Sequence, residues 1–206
     1  LEGPLSIIPD DFIALINTTI SDNLKPDQIR DELKSSLQQN LKSGELADVQ
    51  KFYESAIGKR VIEVESQKTT ASSGLNDSAT LKALADASGA GSAASALAQA
   101  GLNDALDMAV KNGCFNLDKI PMAGFVVGVA KKAQLKVLRS SVNDAVRQQY
   151  AALSPAEQAG YLAFIQSKAG QKFLSTRTTV MNNAATRVGA SLKDPLYQQV
   201  KGMCGQ

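Results

Sequence analysis

Apolar residues recur at intervals of three or four along most of the chain, and this period constrains the fold more than any other feature. The interval matches one face of an α-helix, which turns once in about 3.6 residues. The clearest example follows Pro26 and Asp27, a proline and an acidic residue that both favour the first turn of a helix. Its apolar residues are Ile29, Leu33, Leu37 and Leu41. We therefore predict an amphipathic helix over residues 26–42.

Ser154, Pro155 and Glu157 form the sharpest helix start in the chain. In such a capping box the serine hydroxyl and the glutamate carboxylate each accept a hydrogen bond from the other residue's backbone N–H. Proline at the first helical position gives up no hydrogen bond there. We predict a helix that begins after Ser154 and turns Tyr161 and Phe164 inward. Signals of the same kind predict further helices near residues 10–16, 43–56, 121–150 and 171–192, followed by a short tail.

Alanine and leucine dominate the apolar residues, tryptophan is absent, and aromatic residues make up only 5% of the 206 residues. This composition favours close-packed helices over a sheet, which is usually built on branched and aromatic side chains. We predict an all-α, multi-helix bundle with three parts in one compact unit. The parts are a first helical repeat (1–67), an Ala/Ser/Gly-rich insert with a short helix (68–118), and a long helix with a second helical repeat (119–206). Gly89 and Gly91 predict a helix break within the insert.

A shift of 112 residues aligns two parts of the chain without a gap. It places Leu41, Glu45, Ala47, Phe52, Ser55 and Gly58 on Leu153, Glu157, Ala159, Phe164, Ser167 and Gly170. Many amphipathic helices share apolar spacing, so the Phe, Ser and Gly matches are the informative ones. We interpret the two parts as copies of a helix-kink-helix repeat. In each copy the serine would cap a helix and the glycine would supply backbone freedom at the kink.

Residues 52–61 read FYESAIGKRV, which is Phe-Tyr-x-Ser-x-x-Gly followed by a basic and apolar continuation. This segment resembles the signature of a family of bacterial exported proteins, domain-of-unknown-function family 2059. Residues 164–173 are similar to a second copy of the signature, with Ile165 in place of the tyrosine. The resemblance implies an α-helical fold and export to the bacterial envelope, and it implies no chemistry. We expect a periplasmic or secreted protein whose leader has been removed, since the chain begins at Leu1.

The chain contains no histidine, which removes the commonest general base and the most frequent transition-metal ligand. The Gly89-Ala90-Gly91 segment matches part of a dinucleotide-binding loop, but that motif requires a preceding strand and here follows an Ala-rich helical pattern. Paired acids such as Asp104 with Asp107, and Glu63 with Glu65, are better explained as solvated helix faces. We therefore predict no catalytic, metal or cofactor site, and a protein that is not an enzyme.

The two halves of the chain carry opposite charge. Residues 1–118 contain 10 Lys or Arg and 17 Asp or Glu, whereas residues 119–206 contain 12 and 3. Either the acidic and basic repeats pack on one another, or the basic residues form a surface for an anionic partner. The candidates for such a surface are Lys132, Lys136, Arg139, Lys168, Lys172 and Arg177. We expect another protein or an anionic membrane surface as the partner rather than nucleic acid, because no stacking aromatic residues are interleaved with the basic ones.

Two further features leave alternatives open. Cys114 and Cys204 either form a disulfide or remain free thiols. The apolar stretch of residues 120–130 is shorter than the roughly 20 residues that a bilayer-spanning helix needs, so no transmembrane span is predicted. The function that fits these observations is a non-enzymatic envelope protein that binds or scaffolds other proteins. The alternative is a carrier that holds an apolar or lipid-like ligand in a cleft between the repeats.

Overall fold

The computed structural model describes residues 10–67, 78–104, 107–108 and 123–204. Every regular element in this part of the chain is helical, which confirms the predicted all-α, multi-helix fold. The α-helices are α1 (Asp10–Asn23), α2 (Pro26–Asn40), α3 (Ser43–Glu54), α4 (Ala56–Ser66), α5 (Ala79–Ser88), α6 (Ala90–Ala98), α7 (Ala123–Tyr150), α8 (Pro155–Gln166) and α9 (Lys168–Cys204). A π-helical turn, Gln99–Asn103, directly follows α6.

Helix starts and ends follow the local capping signals of the sequence. At the start of α8 the Ser154 hydroxyl accepts from the Glu157 N–H at 3.3 Å, and the Glu157 carboxylate accepts from the Ser154 N–H at 2.7 Å. The predicted capping box is therefore confirmed. α5 ends at Gly89, whose φ of 74° lies in the left-handed region that favours glycine. The predicted break in the insert lies at this residue.

α9 is longer than the sequence predicts. It continues to Cys204 with Pro195 inside it, so the prediction of a helix that ends near residue 192 is wrong. Leu192 and Leu196, on either side of the proline, are 2% and 1% exposed. Burial of a leucine side chain contributes about 1.5–3 kcal/mol, and two such side chains offset the roughly 3 kcal/mol that an internal proline costs.

The helices form two compact units. The aromatic unit consists of Asp27–Ala94 and Val137–Met181. The second unit consists of Leu1–Pro26, Ser95–Lys136 and Asn182–Gln206, as far as these residues are described. The predicted division at residues 67 and 118 follows the repeats in the sequence, whereas these two units follow the contacts between helices. The predicted division therefore stays a prediction.

In the second unit the π-helical turn lies against α9 at two glycines. A Cβ atom on Gly101 would lie 2.7 Å from the carbonyl oxygen of Gly189, and a Cβ on Gly189 would lie 2.5 Å from that of Leu97. Both distances are too short for any side chain. Glycine at these two positions lets the two backbones approach more closely than alanine would allow.

The core of the aromatic unit contains side chains from α3, α4, α5, the end of α7, α8 and the first half of α9. Its largest fully buried members in that unit are Tyr150, Tyr161, Leu81, Leu84, Val61 and Val64. Of the predicted repeat signature, Phe164 belongs to this core and Phe52 packs against it.

Candidate functional site

Two helix corners in the aromatic unit have the same geometry. Ser55 separates α3 from α4, and Ser167 separates α8 from α9, with φ/ψ of −67°/162° and −68°/158°. Each serine hydroxyl accepts from a glycine N–H three residues later, at 3.1 Å from Gly58 and 3.0 Å from Gly170. Each also donates to the phenylalanine carbonyl three residues earlier, at 2.6 and 2.7 Å. The predicted serine caps are confirmed, because one side chain satisfies the end of one helix and the start of the next.

The glycines of these corners are needed for space. A Cβ on Gly58 would collide with the carbonyl oxygen of Phe52, and a Cβ on Gly170 would collide with that of Phe164. Neither residue has a positive φ, which among the described glycines occurs at Gly89. The interpretation that these glycines supply backbone freedom is therefore wrong. They allow the first turn of the second helix to approach the end of the first.

Aromatic rings fill the contact between the two helix pairs. Phe52 of α3 and Phe164 of α8 stack with ring centroids 3.9 Å apart and an interplanar angle of 3°. Tyr53 meets Phe164 edge-on at 5.7 Å and Phe173 at 5.3 Å, and Tyr161 stacks with Phe52 at 5.8 Å. Phe164 and Tyr161 are 8% and 1% exposed. Side chains thus occupy the region in which the carrier alternative places its cleft.

A polar network lies beside these rings. One oxygen of the Glu65 carboxylate accepts hydrogen bonds from the Tyr150 hydroxyl at 2.5 Å and the Tyr161 hydroxyl at 3.2 Å. Its other oxygen accepts from Arg177 at 3.4 Å. Arg177 also donates to the Ser88 carbonyl at 3.2 Å, at the end of α5. The network therefore joins α4, α5, α7, α8 and α9 of the aromatic unit through one carboxylate and one guanidinium.

Burial changes the acidity of this network. Removal from water raises the pKa values of Tyr53, Tyr150 and Tyr161 above that of a free tyrosine, and neighbouring hydroxyls or Glu65 raise them further. Burial would lower the pKa of Arg177, but Glu65 and the tyrosines more than offset this and raise it. The Tyr53 hydroxyl is buried and has no hydrogen-bond partner among the described residues. The tyrosines thus stay neutral at physiological pH.

Ion pairs flank the aromatic contact. Lys172 lies 2.7 Å from the Glu45 carboxylate, and Lys168 lies 3.8 Å from it. The hydrogen bond from Lys172, followed by that from the Lys42 backbone, lowers the pKa of Glu45. Hydrogen bonds from Ser154 lower the pKa of Glu157, and the charge of Arg60 lowers it further. Glu45 of the acidic half therefore meets Lys168 and Lys172 of the basic half, as the first explanation of the charge asymmetry expects, whereas Glu157 and Arg60 have the opposite arrangement.

The residues of the predicted anionic-partner surface lie in different surroundings. Lys132, Lys136 and Arg139 are exposed on α7. Lys168 is 79% exposed, whereas Lys172 and Arg177 belong to the ion pairs with Glu45 and Glu65. The surface as a whole stays a prediction. Cys114 lies outside the described residues, as does the side chain of Cys204, so the disulfide also stays a prediction.

The prediction that Glu65 lies on a solvated helix face is wrong, because its carboxylate accepts hydrogen bonds from Tyr150, Tyr161 and Arg177, and the network itself was not predicted. One signal was present, because the shift of 112 residues places Glu65 on Arg177, two opposite charges at matching positions. Tyr150 gave no signal of its own, since a single aromatic residue at the end of a long helix does not indicate which residue it will contact. Its partner is 85 residues away in sequence.

The arrangement is suited to holding helices together. Its charged groups are paired with one another, and no group of His, Cys, Asp and Glu side chains in the described part of the chain could hold a metal ion. No described helix is both long enough and apolar enough to span a bilayer.

Comparison with known proteins finds a family similarity over part of the chain. Residues 27–86, which form α2 to α5 without the last residues of α5, match the family described as "Uncharacterized protein conserved in bacteria (DUF2059)". The predicted resemblance is confirmed over this segment, which includes the first signature at residues 52–61 and excludes the second. No curated protein and no solved structure matches the chain.

Proposed function

We propose that this chain, whose residues 27–86 match this bacterial family, is a non-enzymatic binding or scaffolding protein of the bacterial envelope. The observation that carries the proposal is the filled contact between α3–α4 and α8–α9. A carrier needs an open, mostly apolar cavity for its ligand. The rings of Phe52 and Phe164, 3.9 Å apart, leave no such space between them.

The composition of the site supports the same function. The chain has no histidine, and the Glu65 carboxylate is engaged by two tyrosine hydroxyls and a guanidinium. A general base needs a free lone pair that can reach a substrate, and a carboxylate engaged in this way is a poor one. These residues are better suited to holding helices together, so that their outer surface can bind a partner.

The basic side chains on α7 suggest the chemistry of the partner. Lys132 and Lys136 are exposed one helical turn apart in the second unit, so their ammonium groups lie on one face of the helix. Such a pair attracts an acidic protein surface and increases the rate of encounter. We propose an acidic envelope protein as the partner.

Pull-down from the envelope fraction of the source bacterium, followed by native mass spectrometry, tests the proposal. We compare the unaltered chain with a Lys132→Glu, Lys136→Glu double variant. The matched control is Lys34→Glu with Lys51→Glu, which makes the same change in charge at two exposed residues elsewhere. We expect a stoichiometric partner with the unaltered chain and the control, and its loss with the α7 variant at low salt.

Three outcomes contradict the proposal. The first is a chain that recovers no stoichiometric partner, and the second is equal loss of the partner in the α7 and control variants. The third is sedimentation with phosphatidylglycerol vesicles but not with any envelope protein, which would replace the acidic protein with an anionic membrane surface.

A further inference from the structure

Residues 41–66 and residues 153–178 share their local structure position by position. Each begins with two non-helical residues, continues as a helix of 12 residues, turns at a serine and enters a second helix. Over 41–65 and 153–177, the aligned residues have the same burial at all but six of the 25 positions. We call these the first copy and the second copy.

Two contacts join a residue of the first copy to its own counterpart in the second. Phe52 stacks on Phe164, and Glu65 pairs with Arg177 at 3.4 Å. Contacts between counterparts arise where a local two-fold axis passes between two copies of one structure. The nearly parallel Phe52 and Phe164 rings, at 3°, are consistent with such an axis.

Attraction between opposite charges at matching positions points to the same relation. Glu45 of the first copy pairs with Lys172 of the second at 2.7 Å. The counterparts of these residues are Glu157 and Arg60; Arg60 forms its ion pair with Glu63 at 2.7 Å, and the charge of Glu157 acts on it more weakly. In an isologous contact, residue i of one copy meets residue j of the other, and j meets i.

We propose that the second copy is a repeat of the family segment and that the face shared by both copies is a homotypic association surface, through which the first copy of one chain pairs with the second copy of another chain. The face consists of the stacked Phe52 and Phe164, the Glu65–Arg177 pair, and Glu45 with Lys168 and Lys172. It deepens the proposed function by naming one partner, and it rests on contacts that are independent of Lys132 and Lys136.

A chimera in the full chain tests whether the copies are interchangeable. Residues 153–176 are replaced by the sequence of residues 41–64, which keeps Arg177 opposite Glu65. A homotypic face must pair with itself, so we expect a helical chain with one cooperative urea transition. Its midpoint should fall, since Val49 then replaces Tyr161, which donates to Glu65.

The matched control for the chimera carries the same replacement with Phe52→Asp in the transplanted copy only. This change places a charge in the ring stack, so we expect its cooperative transition to be lost. A chimera that is as unfolded as this control overturns the proposal.

Charge reversal tests the surface between chains. One variant carries Glu45→Lys, and the other carries Lys168→Glu with Lys172→Glu, so that each has like charges in its own contact. After the two are refolded together at low ionic strength, we expect roughly tenfold more heterodimer than either homodimer by native mass spectrometry. A chain with all three substitutions should form no more dimer than the unaltered chain. A mixture without excess heterodimer overturns the inference, and neither result depends on an envelope partner.

Discussion

At the scale of single residues, the buried tyrosine hydroxyls differ in whether they have a hydrogen-bond partner. Tyr150 donates to the Glu65 carboxylate at 2.5 Å, whereas the buried Tyr53 hydroxyl has no partner among the described residues. A hydrogen bond to a charged group contributes about 1.5–3 kcal/mol, so we expect Tyr150→Phe to lower the free energy of unfolding by that amount. Tyr53→Phe should leave it unchanged or raise it by up to about 1 kcal/mol, because an unsatisfied hydroxyl is removed. Urea unfolding followed by circular dichroism distinguishes the two, and equal effects would contradict the assignment of partners.

The stacked phenylalanines should be coupled energetically. Removal of a buried phenylalanine side chain typically costs about 3–5 kcal/mol, so we expect Phe164→Ala to fall in this range and Phe52→Ala, which is half-buried, to fall near its lower end. An aromatic pair contributes about 0.5–1.5 kcal/mol beyond its burial, which is the coupling expected in a double-mutant cycle. Strictly additive effects would show that the rings do not stabilise one another.

At the scale of helices, the two serine corners should have equal effects. Loss of an N-cap hydroxyl costs about 0.5–2 kcal/mol, and we expect Ser55→Ala and Ser167→Ala to agree within that range because their hydrogen bonds agree within 0.1 Å. Ser43→Ala, at the exposed first residue of α3, is the control and should change stability by less than about 0.5 kcal/mol. A cost at one corner only, measured by thermal unfolding, would rule out equivalent roles.

Replacing glycine by alanine should change the free energy of unfolding in opposite directions at Gly58 and at Gly44. Gly58→Ala places a Cβ against the Phe52 carbonyl and should destabilise the chain by about 1–3 kcal/mol or more, as overpacking does. Gly44 is also helical, but its Cβ would meet nothing within 4 Å, so Gly44→Ala should stabilise by about 0.5–1 kcal/mol. The comparison uses chemical denaturation, and a stabilising Gly58→Ala would disprove the close approach.

Helix positions were largely predictable from the sequence because their signals are local. The capping box at Ser154, the start at Pro26 and the break at Gly89 each depend on a few adjacent residues. The end of α9 was not predictable in this way, since the helix continues past Pro195 only through the burial of Leu192 and Leu196 by other segments. The role of Gly58 was not predictable either. A Cβ atom there would collide with the backbone carbonyl of Phe52, and sequence spacing does not show how closely two successive helices approach.

At the scale of the whole molecule, charge pairing between distant segments makes stability depend on pH. Glu45 and Glu157 have lowered pKa values in the folded chain, whereas in the unfolded chain they titrate near a pH of about 4.3. Between these values only the unfolded chain takes up protons, so the stabilisation is present above about pH 5 and is lost as the pH falls through the lowered pKa values. We expect the urea midpoint to fall with acidification and to fall less steeply in Glu45→Gln.

Glu54→Gln, an exposed carboxylate on the same helix as Glu45, serves as the control for this pH dependence. It should leave the slope of the urea midpoint against pH unchanged. If both variants have the slope of the unaltered chain, the Glu45–Lys172 pair contributes nothing to acid stability.

Opposite charge in the two halves was visible in the sequence, but the specific pairs were not. Glu45 and Lys172 are 127 residues apart, and Glu65 and Arg177 are 112 apart. Helical periodicity relates only residues a few positions apart, so the sequence indicates which basic residues share a helix face but not which carboxylates they contact. Only the packing of the helices assigns Lys172 and Arg177 to internal carboxylates.

The ion pair between Glu65 and Arg177 has a consequence for how mutation can change a contact between two copies of one structure. The two residues occupy matching positions, 112 residues apart, on either side of the local axis that we infer. Two identical first copies, or two identical second copies, that met there would bring together two carboxylates or two guanidiniums, and like charges at that distance repel. Every substitution in such an assembly would also occur twice. Joined in one polypeptide, the two halves can mutate independently, and a position that repels in a symmetric dimer can hold an ion pair.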